Sequence, residues 1–63
     1  MLLMTELLIF EVMMAVENRE SIDIDAAAQR GRYHLPQHPE TDQTLKDRLN
    51  DLAIEYGAEV GHA

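Results

Sequence analysis

Between residues 2 and 16 the chain reads LLMTELLIFEVMMAV, and only Thr5, Glu6 and Glu11 in that stretch are polar. No other feature constrains the fold of these 63 residues as much. A segment this apolar must be covered almost all round, whatever local structure it adopts. It lacks the strict alternation of a half-buried strand. Leu, Met, Glu and Ala, which favour helix, dominate it, and only Thr5, Ile9, Val12 and Val16 are β-branched. Helix is the preferred reading, with a fully buried strand within 7–10 or 12–16 as the alternative. A membrane span would need about 20 apolar residues with charges rare among them. A secretory leader would open with basic residues, yet no Lys or Arg precedes Arg19. The segment therefore belongs to a folded body, and no membrane association is expected.

On a helical wheel the segment has two apolar faces. Leu3, Leu7, Phe10 and Met14 form one narrow stripe, bordered by Glu6 and Glu17 on one edge and by Glu11 and Asn18 on the other. Leu2, Leu8, Ile9, Val12, Met13 and Val16 spread over the back. Covering both faces takes more apolar surface than the rest of the chain offers.

The remainder reads as two further helices. Ser21, Asp23 and Asp25 are candidate caps ahead of Ala26-Ala27-Ala28-Gln29-Arg30. Arg30 and Arg32 suit the opposite helix end, where Gly31 either ends the helix or weakens it. Pro36 and Pro39 impose an extended linker. Pro39 then fits a first helical position and Gly57 the position just past the last turn. Between them Leu45, Leu49, Leu52 and Tyr56 recur at helical spacing and predict one buried stripe, with Asp42 paired to Lys46 one turn on. The expected fold is all-α, two or three helices at about 2–18, 24–31 and 39–56, in a hairpin or bundle completed by another chain. Residues 1–57 form a single domain, and 58–63 are expected to fray.

Size and charge narrow the function classes. Small chains usually need disulfides, a metal or a second chain to offset the entropy of folding. The absence of cysteine removes disulfides and thiolate zinc sites and fits a reducing, cytoplasmic setting. That leaves oligomerisation or docking on a larger protein. The net charge of −7 opposes direct binding to nucleic acid or anionic lipid. His34 and His38 are spaced to share a metal on a continuous helix, but Pro36 interrupts that helix, so no metal is expected. Arg30, Arg32, Tyr33 and His34 would suit a phosphate or carboxylate, although helix-end capping and pairing with nearby acids is the simpler role. The chain is too short to enclose a catalytic pocket for paired carboxylates. Neither enzymatic activity nor a cofactor is expected.

The sequence thus points to a small acidic regulator or minor subunit that binds protein, as a homo-oligomer or within a larger complex. Leu3, Leu7, Phe10 and Met14 would fill an apolar groove while Glu6, Glu11 and Glu17 set orientation. The alternative is an acidic inhibitor that imitates nucleic acid and occupies a basic nuclease, polymerase or defence complex. Its ladder would be Asp47, Asp51, Glu55 and Glu59, spaced four apart.

Overall fold

A computed structural model describes residues 2–61. The chain folds into three helices: α1 (Met4–Glu17), α2 (Ile24–His34) and α3 (Asp42–Tyr56). Each helix packs on the other two, giving a small three-helix bundle. Met4, Leu8 and Val12, four residues apart, put one arc of α1 against Leu45, Leu49 and Ala53 of α3 and Ala27 and Ala28 of α2. Leu8, Val12, Leu45 and Leu49 are fully buried, and each such side chain stabilises the fold by roughly 1.5–3 kcal/mol relative to exposure.

α2 is the thin wall of the bundle. Its core positions are alanines and Gly31, which let its backbone approach α1 closely. A methyl group added at Gly31 would lie 3.0 Å from Met4 Sδ and 3.7 Å from Leu8 Cδ2. Of the two roles that the sequence leaves open for Gly31, ending the helix or weakening it, the first does not hold, because its missing side chain serves packing rather than termination. α2 instead runs on to His34 and stops at Leu35, whose backbone leaves the helical region ahead of Pro36.

The start of α3 also differs from expectation. Pro39 lies outside the helix, and Thr41 is the cap, its hydroxyl accepting from Thr44 N at 3.2 Å. Asp23 caps α2 in the same way, accepting from Ala26 N at 3.1 Å. The cap position of α1 is Leu3, which offers no side-chain acceptor. α3 ends as its sequence suggests, with Gly57 in the left-handed region at φ 79°. The chain beyond Gly57, expected to fray, is docked as far as Gly61. Ile22 N donates to Glu59 O at 2.8 Å, and Gly61 N donates to Ile22 O at 2.9 Å. The resulting parallel bridge between Ile22 and Val60 closes that end of the core, with Ala58 and Val60 packed against it. His62 and Ala63, the rest of that tail, lie outside the described residues.

Candidate functional site

Supply and demand for apolar cover do not balance in α1. Its inward arc holds Met4, Leu8, Val12 and the partly buried Ala15. Its outward arc remains open: Phe10 is 60% exposed, Leu3 52%, Met13 52% and Met14 38%. Leu7 is half-buried and packs on the edge of the core. The narrow stripe that the sequence singles out thus lies outward, and Val12 and Leu8, from the back of the wheel, lie inward. Leu2, Met13 and Val16, also from the back, are exposed as well. They widen the open face well beyond the stripe.

Two depressions flank this face. At one end Met13, Val16, Glu17 and Tyr56 line a hollow of about 220 Å³. Tyr56 was expected on the buried stripe of α3, yet it sits in the last turn, beyond the reach of the core, and stays half-exposed. At the other end a groove of about 540 Å³ runs between the start of α1 and the α2–α3 connection, with Leu2, Leu3, Leu35 and Pro36 among its apolar walls. Four of the polar groups at this groove, His38, Glu40, Arg48 and Thr5, bond to one another. His38 Nε2 lies 2.8 Å from Glu40 Oε1, and Arg48 donates to both Glu40 and Thr5. The hydrogen bond from His38, with Arg48 assisting against partial desolvation, holds the Glu40 carboxyl below the usual carboxylate range.

The acids bordering the stripe divide into two kinds. Glu6 and Glu17 are exposed. Glu11 is held by Arg30, whose Nε and Nη2 donate to its two carboxylate oxygens at 2.8 and 2.7 Å. That paired hydrogen bond raises the Arg30 pKa further and ties α2 to α1. Arg32 is equally occupied, with Asp42 at 3.1 Å and the carbonyls of His38 and Glu40. Asp42 therefore does not pair with Lys46, which instead reaches Asp25 at 3.3 Å. The arginine cluster is a set of braces between elements.

Asp47, Asp51 and Glu55 are exposed along the outer side of α3. Gln43 donates to Asp47 at 3.0 Å. Glu59 does not extend the ladder as the sequence spacing suggests, because the left-handed Gly57 ends the helix first and redirects the chain toward Ile22. His34 stacks edge-on against Tyr33 at 5.5 Å, and His38 faces Glu40. Among the described residues no group of three His, Cys, Asp or Glu is placed to hold a metal, and no helix is long and apolar enough to cross a membrane.

No family model matches this chain, and no curated protein or solved structure is detectably similar to it. The outer face of α1 is accordingly defined by its own geometry. It is an apolar band along a 14-residue helix, about 21 Å long at 1.5 Å per residue, with a depression at each end and two carboxylates set into it. What the wheel did not reveal was that Met13 and Val16 share this face. Both sit beside the half-exposed Tyr56 in the last turn of α3, outside the buried core, a placement that periodicity alone does not encode.

Proposed function

We propose that this chain is a small acidic protein-binding module, a regulator or minor subunit, that acts by docking the outer face of α1 onto another protein surface. The observation that carries the reading is the exposure of Phe10 at the middle of that face, with Leu3, Met13 and Met14 around it. Burying one large apolar side chain stabilises a protein by roughly 1.5–3 kcal/mol. A domain of this length has a net stability of roughly 3–9 kcal/mol. Four such side chains left half in water thus represent a driving force for association comparable to the folding stability itself. Clustered exposure of this kind marks an interaction surface, whereas scattered single residues do not. The exposed carboxylates of Glu6 and Glu17, set within the face, supply charges that orient a partner.

The test compares the full chain with Phe10→Glu by solution mass and helical circular dichroism over a dilution series. The expected result is association of the parent chain, with itself or with a partner that co-purifies in stoichiometric amount, abolished by Phe10→Glu with helicity retained. A parent chain that stays monomeric at high micromolar concentration, binds nothing and behaves like the variant overturns the reading.

A second reading, acidic mimicry of nucleic acid, draws on the exposure of Asp47, Asp51 and Glu55, none of which joins an ion pair among the described residues. Three carboxylates on one helix side make a shorter ladder than the sequence spacing offered. Binding lost on Asp47→Asn, Asp51→Asn and Glu55→Gln together, and indifferent to Phe10→Glu, would favour it.

A further inference from the structure

Four of the five Lys and Arg side chains are committed to ion pairs within the chain, and that bears on what can cover the outer face of α1. Arg30 is bound to Glu11, Arg32 to Asp42, Lys46 to Asp25 and Arg48 to Glu40. Glu6 and Glu17, both exposed within the apolar band, join no ion pair among the described residues. A second copy laid on this face would bring two more such carboxylates and a further net charge of −7, with Arg19 alone outside those ion pairs to meet them. Like charges brought together at an interface oppose association, whereas complementary ones speed and orient it.

Resting on the reading that this face docks protein, we propose that its partner presents a cationic amphipathic helix, with an apolar ridge at helical spacing flanked by Lys or Arg. The ridge covers Phe10, Met13 and Met14, and the flanking cations meet Glu6 and Glu17. The shape agrees with this occupant. The band runs the length of α1, enough to lie along a second helix, and a depression at each end accepts a large side chain. Methionine side chains are unbranched and adjust to different apolar ridges, which suits Met13 and Met14 to this role. A single helix buries less than the ~800 Å² per partner of a standard stable interface, so a salt-sensitive, micromolar complex is expected.

The experiment titrates isotope-labelled full chain with three synthetic peptides, each matching the 14 residues of α1 in length, and follows backbone amide shifts. One peptide is a Leu/Lys amphipathic helix, the second has the same composition scrambled, and the third replaces every Lys by Glu. The Leu/Lys helix is expected to shift residues around Phe10, Met13 and Met14, and the other two peptides to bind at least about tenfold more weakly. Phe10→Glu should weaken the Leu/Lys complex by about tenfold or more, and raising the salt should weaken it further. Because Phe10→Glu places a charge on a helix that is part of the fold, a second variant keeps the test decisive. Glu6→Lys with Glu17→Lys should reverse the preference toward the Leu/Glu peptide. Equal binding of the scrambled peptide, or shifts centred on Asp47, Asp51 and Glu55, overturns the proposal in favour of plain charge attraction at α3. Dimerisation of the parent chain through this face, abolished by Phe10→Glu and untouched by any peptide, overturns the cationic helix but leaves the docking reading standing. Indifference of both solution mass and peptide binding to Phe10→Glu removes both.

Discussion

α1 and α3 are almost equal in length, 14 and 15 residues, and they pack against each other, yet they divide their surfaces in opposite ways. α3 places Leu45, Leu49 and Ala53 inward, keeps Leu52 at the edge, and turns Asp47, Asp51 and Glu55 outward together with a single large aliphatic side chain, Ile54, at 72% exposure. α1 buries Met4, Leu8 and Val12 to much the same degree, but it carries a second apolar set outward. Apart from Ile54 and the half-exposed Tyr56, α3 thus meets the needs of the bundle and water at once. α1 meets the needs of the bundle and leaves a surplus. The outer set is a surplus that the bundle leaves uncovered, and the proposed docking function rests on it.

The sharpest way to break this comparison is to truncate one residue from each side of α1. Leu8→Ala removes a fully buried side chain between three helices and should cost about 2–5 kcal/mol, a large part of the stability available. Phe10→Ala, two residues along, should cost about 1 kcal/mol or less in the isolated chain, because most of that ring is already in water. Urea unfolding followed by circular dichroism measures both. Equal losses would mean that the outer face is structural.

Gly31→Leu tests the thin wall that α2 presents to α1. The side chain would enter the space occupied by Met4 Sδ, where even a single added carbon lies at 3.0 Å. Overpacking of this sort costs roughly 1–3 kcal/mol, visible as a lower thermal midpoint. The smaller Gly31→Ala change sets a gain in helix propensity of about 1 kcal/mol against displacement of a flexible Met4, and should change stability less than Gly31→Leu does.

The same position marks the limit of what the sequence discloses. The 3.6-residue spacing of Leu45 and Leu49 and the fit of Gly57 to a helix stop were legible because they are local. The excess of apolar residues in α1 was legible too, since it follows from counting side chains against the cover available. Whether Gly31 ends its helix or sits within it stays open in the sequence because its purpose depends on Met4, twenty-seven positions earlier. For the same reason Glu11 looked like part of a free rim until Arg30 was placed beside it. The docked segment after Gly57 was invisible because its partner is the lone strand-like residue Ile22. Which of the two apolar faces of α1 turns outward was likewise a matter of where α2 and α3 settle.

A smaller effect compares the two helix ends directly. After α3, Gly57 takes a left-handed conformation at φ 79°, which glycine adopts without strain. After α1, Arg19 adopts φ 56° to make the equivalent turn, with Glu20 N donating to Ala15 O at 2.9 Å. A side chain in that conformation costs about 1 kcal/mol. Arg19→Gly should therefore raise stability by up to about 1 kcal/mol and Gly57→Ala should lower it by a similar amount, both read as shifts in the urea midpoint. Arg19 lies beyond the Glu17 end of the outer face, so Arg19→Gly should also leave binding of the Leu/Lys peptide within about twofold.

The smallest expected effect concerns acid. Glu40 joins the α2–α3 connection to α3 through Arg48, and its carboxyl is held below the usual range chiefly by the hydrogen bond from His38. A carboxylate whose pKa is lower in the folded state than in the unfolded chain adds stability that is complete above the unfolded value. As pH falls below that value the unfolded chain takes up the proton first, and the contribution is lost progressively until the folded-state value is passed. Stability should thus decline on acidification through and below the ordinary carboxylate range, and Glu40→Gln should make the decline shallower. The direct measurement is the side-chain carbon resonance of Glu40 across a pH titration. In the parent chain its midpoint should lie below the ordinary carboxylate range, and His38→Ala should move it upward. No such movement would show that Arg48, which also holds Thr5, keeps the carboxylate ionised without help from the imidazole.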